Sequence, residues 1–97
     1  MIRLASDELE RIAKALADDQ RFEILEAIAG AQELSCKALV DRFPVTQATV
    51  SHHLRELLTA GLVAVRQDGQ LRLYRSRPEV LEEYLAQLER RLLRARR

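Results

Sequence analysis

The chain predicts a mainly α fold with one small β-hairpin, in the order helix, helix, helix, helix, hairpin, helix. Three observations predict it. Apolar residues recur at helical spacing through residues 7–60 and again from residue 78 onward. Between these stretches the period becomes that of a strand, in Leu62-Val63-Ala64-Val65-Arg66-Gln67 and in Gln70-Leu71-Arg72-Leu73-Tyr74-Arg75-Ser76. The two runs flank Asp68-Gly69, a strong two-residue hairpin signal.

Each element has its own local cause. Leu9, Ile12, Ala13 and Leu16 give residues 7–17 an apolar stripe, and Asp7 and Glu8 suit the positive end of that helix. Asp18 is a cap for a second helix whose apolar row is Phe22, Ile24, Leu25, Ile28 and Ala29, with Gly30 as its stop. Ser35 caps a short third helix that packs through Leu39 and Phe43. Pro44 ends that helix, because proline disfavours helical geometry in the residue before it. Thr46 caps the fourth, whose inner row is Val50, Leu54, Leu57 and Leu58, and Gly61 stands at its C-terminal cap. Pro78 fits the first turn of a last helix that carries Val80, Leu81, Tyr84, Leu85, Leu88, Leu92 and Leu93 to the C-terminus.

The chain has 97 residues, which makes one domain spanning 1–97 with a small core. Its net charge is only +1, but the charge is unevenly placed. Residues 1–43 hold six Lys/Arg against nine Asp/Glu, whereas residues 44–77 hold five Arg against two acids. A single cysteine excludes an internal disulfide framework. No signal-peptide pattern and no membrane-length apolar run is present, so a cytoplasmic protein is expected.

The basic stretch begins with the most informative segment, Thr46-Gln47-Ala48-Thr49-Val50-Ser51-His52-His53-Leu54-Arg55-Glu56-Leu57. Solvated helix faces favour Glu and Lys. This one offers Gln, Thr, Ser, His and Arg, with one carboxylate. A helix lying against a polyanion and reaching base edges needs donors and short acceptors and must avoid acids. Thr46, Gln47, Thr49, Ser51, His52 and Arg55 are therefore candidates to face double-stranded DNA, while His53, about 100° round from His52, is open either to a hydrogen bond inside the domain or to a phosphate contact. With about three residues between the third and fourth helices, residues 34–60 read as a helix-turn-helix. The hairpin at 62–76 makes it winged, with Arg66, Arg72 and Arg75 as candidates for phosphate or minor-groove contact.

Several motifs together resemble the ArsR/SmtB family of bacterial winged-helix repressors. Asp18-Asp19-Gln20-Arg21-Phe22-Glu23-Ile24-Leu25 resembles that family's D-P-T-R-x-x-I-L helix start, with Asp19 where Pro is common. Glu33-Leu34-Ser35 followed by Leu39 resembles the approach to its third helix. Thr46 to Leu54 resembles its S-Q-S-T-V-S-H-H-L reading helix, and Ala60-Gly61-Leu62-Val63 the A-G-L-V after it. Asp68-Gly69 and Tyr74 fall at the wing turn and the wing aromatic. Pro44 departs from the usual glycine and cannot take a positive φ, so the turn must close differently.

The resemblance implies a homodimer held by the first and last helices, residues 7–17 and 78–97. The sequence supports that independently, through apolar residues at 81, 85, 88 and 92. The expected interface is Leu9, Ile12, Leu16, Leu81, Tyr84, Leu85, Leu88 and Leu92. Arg90, Arg91, Arg94, Arg96 and Arg97 form a basic end to which no DNA contact is assigned.

Many relatives sense metals. The family's E-L-C-x-C thiols fall here on Ser35 and Lys37, with Cys36 between them, and soft-metal capture needs two or three thiolates. Its site of Asp, His and Glu on the last helix lacks a histidine here, since none follows His53. No metal site and no cofactor is expected. Cys36, near a helix start, is a candidate for redox sensing; the plainer reading is a small core residue.

The expected function is a sequence-specific transcriptional repressor that binds an inverted repeat as a homodimer. Two alternatives stay open: release by an organic ligand or by a redox signal at Cys36, and a winged-helix adaptor that binds protein. No catalytic constellation is present, so an enzyme is not expected.

Overall fold

A computed structural model describes residues 2–94, which leaves the expected basic residues Arg96 and Arg97 outside the described residues. The elements are α1 (Ser6–Leu16), α2 (Asp19–Ala29), β1 (Leu34–Ser35), α3 (Cys36–Arg42), α4 (Gln47–Thr59), β2 (Val63–Asp68), β3 (Leu71–Ser76) and α5 (Pro78–Leu88). A π-helical turn, Glu89–Leu93, follows α5.

The caps act as the sequence requires. Asp18 accepts from the Arg21 backbone N–H at 2.9 Å, Ser35 from that of Ala38 at 3.0 Å and Thr46 from that of Thr49 at 3.2 Å. Each satisfies a donor that its helix start leaves open. At the other end of α4, Gly61 adopts φ +77°, with Gly61 N–H donating to the Leu58 carbonyl and Leu62 N–H to that of Leu57. This paired closure is a Schellman motif, and it turns the chain straight into β2.

Pro44 closes the helix-turn-helix without a positive φ. Phe43 is extended (φ −120°, ψ 141°), and the Val45 N–H donates to the Phe43 carbonyl at 2.8 Å. That three-residue bond has proline at its centre, where the fixed φ of proline is already close to what an inverse γ-turn needs.

The core joins α1, α2, α3, α4 and the sheet. Ile12, Ile24, Ile28, Leu39, Val50, Leu54 and Leu57 are at most 1% exposed. Each such side chain stabilises the fold by roughly 1.5–3 kcal/mol before entropy is counted. Tyr74 of β3 and Val80 of α5 close the other side.

Several expectations need correction. Ile12 is wholly buried within its own subunit, so it belongs to the core and not to a dimer interface. Phe22, placed in the inner row of α2, is 49% exposed. The two central residues of the hairpin are Gly69-Gln70, because Asp68 pairs with Leu71. Only Gly69 takes a left-handed φ (+61°), the pattern of a type II′ turn. The sheet has a third strand, β1, in which Leu34 and Ser35 pair antiparallel with Tyr74 and Leu73 of β3. Finally, the last helix does not stay α-helical: Arg94 N–H donates to the Glu89 carbonyl, five residues back. The wider π-turn breaks the even spacing on which the apolar stripe was read, and Leu92 and Leu93 are both exposed, at 68% and 73%.

Candidate nucleic-acid interface

Helix α4 sorts its residues by face. Val50, His53, Leu54 and Leu57 point inward and are buried. Ala48, His52, Arg55 and Thr59 form an exposed row about opposite them, at 100° per residue. Exposed Gln47 and half-buried Ser51 flank that row on one side, half-buried Thr49 and Glu56 on the other. Ala48 was not among the expected reading residues. Its position in the helical phase is the signal that finds it, and a small methyl suits contact with a thymine methyl.

Availability separates these side chains further. Among the described residues, Gln47, His52 and Arg55 make no side-chain hydrogen bond or ion pair within the subunit; His52 only lies beside His53, with ring centroids 5.8 Å apart. Thr46 is committed to its cap, and its Oγ1 also lies 3.1 Å from that of Thr49. Ser51 Oγ faces the Cys36 thiol at 3.9 Å. Cys36 is thus half-buried at the margin of the reading helix, beside Ser51 and next to the exposed row.

His53 has a separate task. Arg21 Nε–H donates to its Nδ1 at 3.2 Å, and its Nε2 lies 3.0 Å from Gln20 Oε1. The first bond fixes Nδ1 as acceptor, so Nε2 carries the proton and donates to Gln20. Burial holds the His53 pKa below the usual imidazole value; the nearby Asp18 carboxylate opposes this, and the neighbouring Arg21 and His52 add to it. A neutral imidazole therefore pins the middle of α4 to the start of α2. The Asp18 carboxyl is held low chiefly by the Arg21 backbone N–H that it caps.

The wing arginines differ in the same way. Arg66 makes a two-pronged ion pair with Glu33, both N–H···O distances being 2.7 Å. Each partner favours the other's charged form, lowering the Glu33 pKa and raising that of Arg66. Arg66 is therefore a brace between β2 and the segment entering β1, its guanidinium already paired with Glu33. Arg72 sits with its guanidinium 5.9 Å from the centre of the Tyr74 ring. Arg75 is exposed, with no hydrogen bond or ion pair among the described residues.

No group of three or more His, Cys, Asp or Glu side chains among the described residues is placed to hold a metal ion. No helix there is long and apolar enough to cross a membrane.

A helix-turn-helix with a short sheet as its wing, and an acid-poor, unpaired row on its second helix, defines a winged-helix DNA-binding regulator. Comparison with known proteins gives the family. A model described as a helix-turn-helix domain matches residues 16–66. The chain is 33% identical to an arsenical resistance operon repressor of Staphylococcus aureus, covering 84% of this chain and 77% of that protein. Its fold is similar to an ArsR-like transcriptional regulator from Rhodococcus sp. RHA1, with TM-score 0.81 and 33% identity over 87% of this chain and 78% of that one. It is also similar to the homodimeric winged helix-turn-helix domain Mb0332 from Mycobacterium bovis, with TM-score 0.73, 28% identity, and 91% and 88% of the two chains covered.

The chain belongs to the ArsR/SmtB family of winged helix-turn-helix regulators. It is a DNA-binding transcriptional regulator, in a family of regulators and not of enzymes.

Proposed function

We propose that the protein is a homodimeric repressor that occupies an inverted-repeat operator, with one α4 in each of two major grooves about one helical turn apart. The unpaired outer row of α4 carries this reading. Arg55 suits a guanine edge, Gln47 an adenine edge, His52 and Ala48 the bases between, with Thr49 and Ser51 at the margins. Arg72 and Arg75 are assigned to the DNA backbone. Promoter occupancy itself would repress, and binding would be strongly salt-dependent.

The dimer part rests on α5 and the turn after it. Leu85, Leu92 and Leu93 are 57%, 68% and 73% exposed, an unusual concentration of apolar surface on a domain this small. Half-buried Leu81, Tyr84 and Leu88 on α5, and Leu9 and Leu16 on α1, complete the proposed interface. The Mycobacterium bovis domain is described as homodimeric, which supports dimer formation.

The test is a genome-wide selection of bound DNA fragments with wild type and a Gln47→Ala/Arg55→Ala variant. A two-fold-symmetric motif that the variant loses is the expected result. A folded, dimeric wild type that enriches no motif would replace this reading with the protein-binding adaptor.

A further inference from the structure

We infer that the cleft between the wing, the start of α3 and the reading helix takes one DNA backbone phosphate, held between Lys37 and Arg72. This rests on the DNA-binding reading above and adds to it a contact from outside the reading helix.

The pairing of β1 with β3 builds the cleft. Ser35 lies opposite Leu73, so Lys37, two residues beyond Ser35, and Arg72, the neighbour of Leu73, come to border one opening. Gln47, in the first turn of α4, closes it from the reading-helix side, with Ser51 and Gln70 also in the wall. The opening has a volume of about 300 Å³. Its lining holds two cations, two amides, three hydroxyls, the Cys36 thiol and Leu71, and no carboxylate.

Neither cation is spent elsewhere. Lys37 is exposed and, like Arg72, makes no ion pair among the described residues; Arg72 is steadied by the Tyr74 ring. The contrast on the same hairpin is Arg66, which Glu33 neutralises. The chain's other lysine, Lys14, lies 3.7 Å from Glu10. A cleft of this composition selects an anion. Its place beside the Ala48–His52–Arg55 row, and not within it, selects the backbone: when a helix reads base edges in a groove, phosphates line the groove's rim. Lys37 delivers a point charge and Arg72 a planar fork, a pairing suited to a phosphate's several oxygens.

The experiment measures affinity against salt for the intact protein on a duplex enriched by the wild-type selection and on a random duplex. Wild type is compared with Lys37→Gln and with Lys14→Gln, which changes net charge equally. Lys37→Gln is expected to weaken both duplexes alike and to lower the slope of log K against log[salt] by about 0.9 per subunit; Lys14→Gln is expected to leave the slope unchanged. A scan of duplexes carrying one neutral methylphosphonate each then locates the contact. One position should weaken wild type but not Lys37→Gln. Circular dichroism melts establish that both variants are folded.

An unchanged slope in Lys37→Gln, an equal drop in Lys14→Gln, or a scan with no position specific to Lys37 would each overturn the cleft while leaving the repressor reading standing. A cleft reserved for a free anion would show itself as Lys37 signals shifted by inorganic phosphate with no such position in the scan. Wild type that binds neither duplex would remove both readings.

Discussion

Two helices of this small domain carry apolar rows, and they use them in opposite ways. On α4 the apolar row is buried, and among the described residues the outer His52 and Arg55 make no side-chain hydrogen bond or ion pair. On α5 and the π-turn after it, polar side chains pair with one another, as in Arg90–Glu83 at 2.9 Å and Arg94–Glu89 at 3.1 Å, while Leu85, Leu92 and Leu93 stay exposed. What each surface leaves unsatisfied points to its partner. Unpaired donors next to few acids call for a polyanion. Uncovered leucines call for another apolar surface, and a second copy of the same helix supplies one.

The largest effect is expected at the apolar end. Leu85→Asp combined with Leu92→Asp should turn a dimer into a monomer by sedimentation velocity. Each lost leucine removes roughly 1.5–3 kcal/mol of burial, and two-fold symmetry counts it twice. Retained helical circular dichroism with no dimer is the expected pair of results; an unchanged sedimentation coefficient would place the interface elsewhere.

The inner and outer rows of α4 should separate cleanly. Leu54→Ala cuts into a side chain that is 1% exposed, so urea unfolding should show a loss of about 2–5 kcal/mol. Arg55→Ala, one residue further on, should leave stability within about 0.5 kcal/mol yet weaken operator binding by about 1–3 kcal/mol and relax one base position. If Arg55→Ala destabilises the fold as much as Leu54→Ala does, the outer row is structural and the reading surface is wrong.

Both rows were legible in the sequence because each depends on local periods. The caps Asp18, Ser35 and Thr46, the stop at Gly61 and the acid-poor face from Gln47 to Arg55 need no knowledge of distant contacts. What the sequence hid is non-local. Two residues cannot announce a strand such as β1, whose existence depends on β3 arriving beside it, and Lys37 at the cleft was hidden with it. Ile12 and Leu9 look alike in an amphipathic pattern; only the packing of α2 and α4 against α1 decides that the first is wholly buried and the second half-buried. Arg66 read as a wing cation because Glu33, its partner, is 33 residues away.

A smaller effect is expected where α4 ends. Gly61→Ala introduces a Cβ that meets nothing within 4 Å, so its cost is the left-handed φ alone. That is roughly 1–2 kcal/mol of stability. Reading-face residues are untouched, so per folded dimer the DNA affinity should not change. A loss of affinity without a loss of stability would mean that the Schellman closure also sets the angle of the wing.

The smallest effect is expected at the buried one of the two adjacent histidines. His52 is exposed, while His53 is 5% exposed and accepts from Arg21, an arrangement that a protonated Nδ1 cannot keep. Burial lowers its pKa in the folded chain below the ordinary value of 6.5, so between the two values the unfolded chain binds more protons than the folded one. The stabilisation is therefore complete above about pH 6.5 and is lost as pH falls through the folded-state pKa. The carboxyls held low at Asp18, Glu33 and Glu79 act in a separate window, below their ordinary values of 3.8 and 4.5. His53→Gln keeps an acceptor but does not titrate. Its unfolding free energy should fall less steeply than that of wild type as pH drops below 6.5. Equal slopes in the two proteins would mean that His53 titrates alike folded and unfolded, and the neutral link from α2 to the reading helix would have to be abandoned.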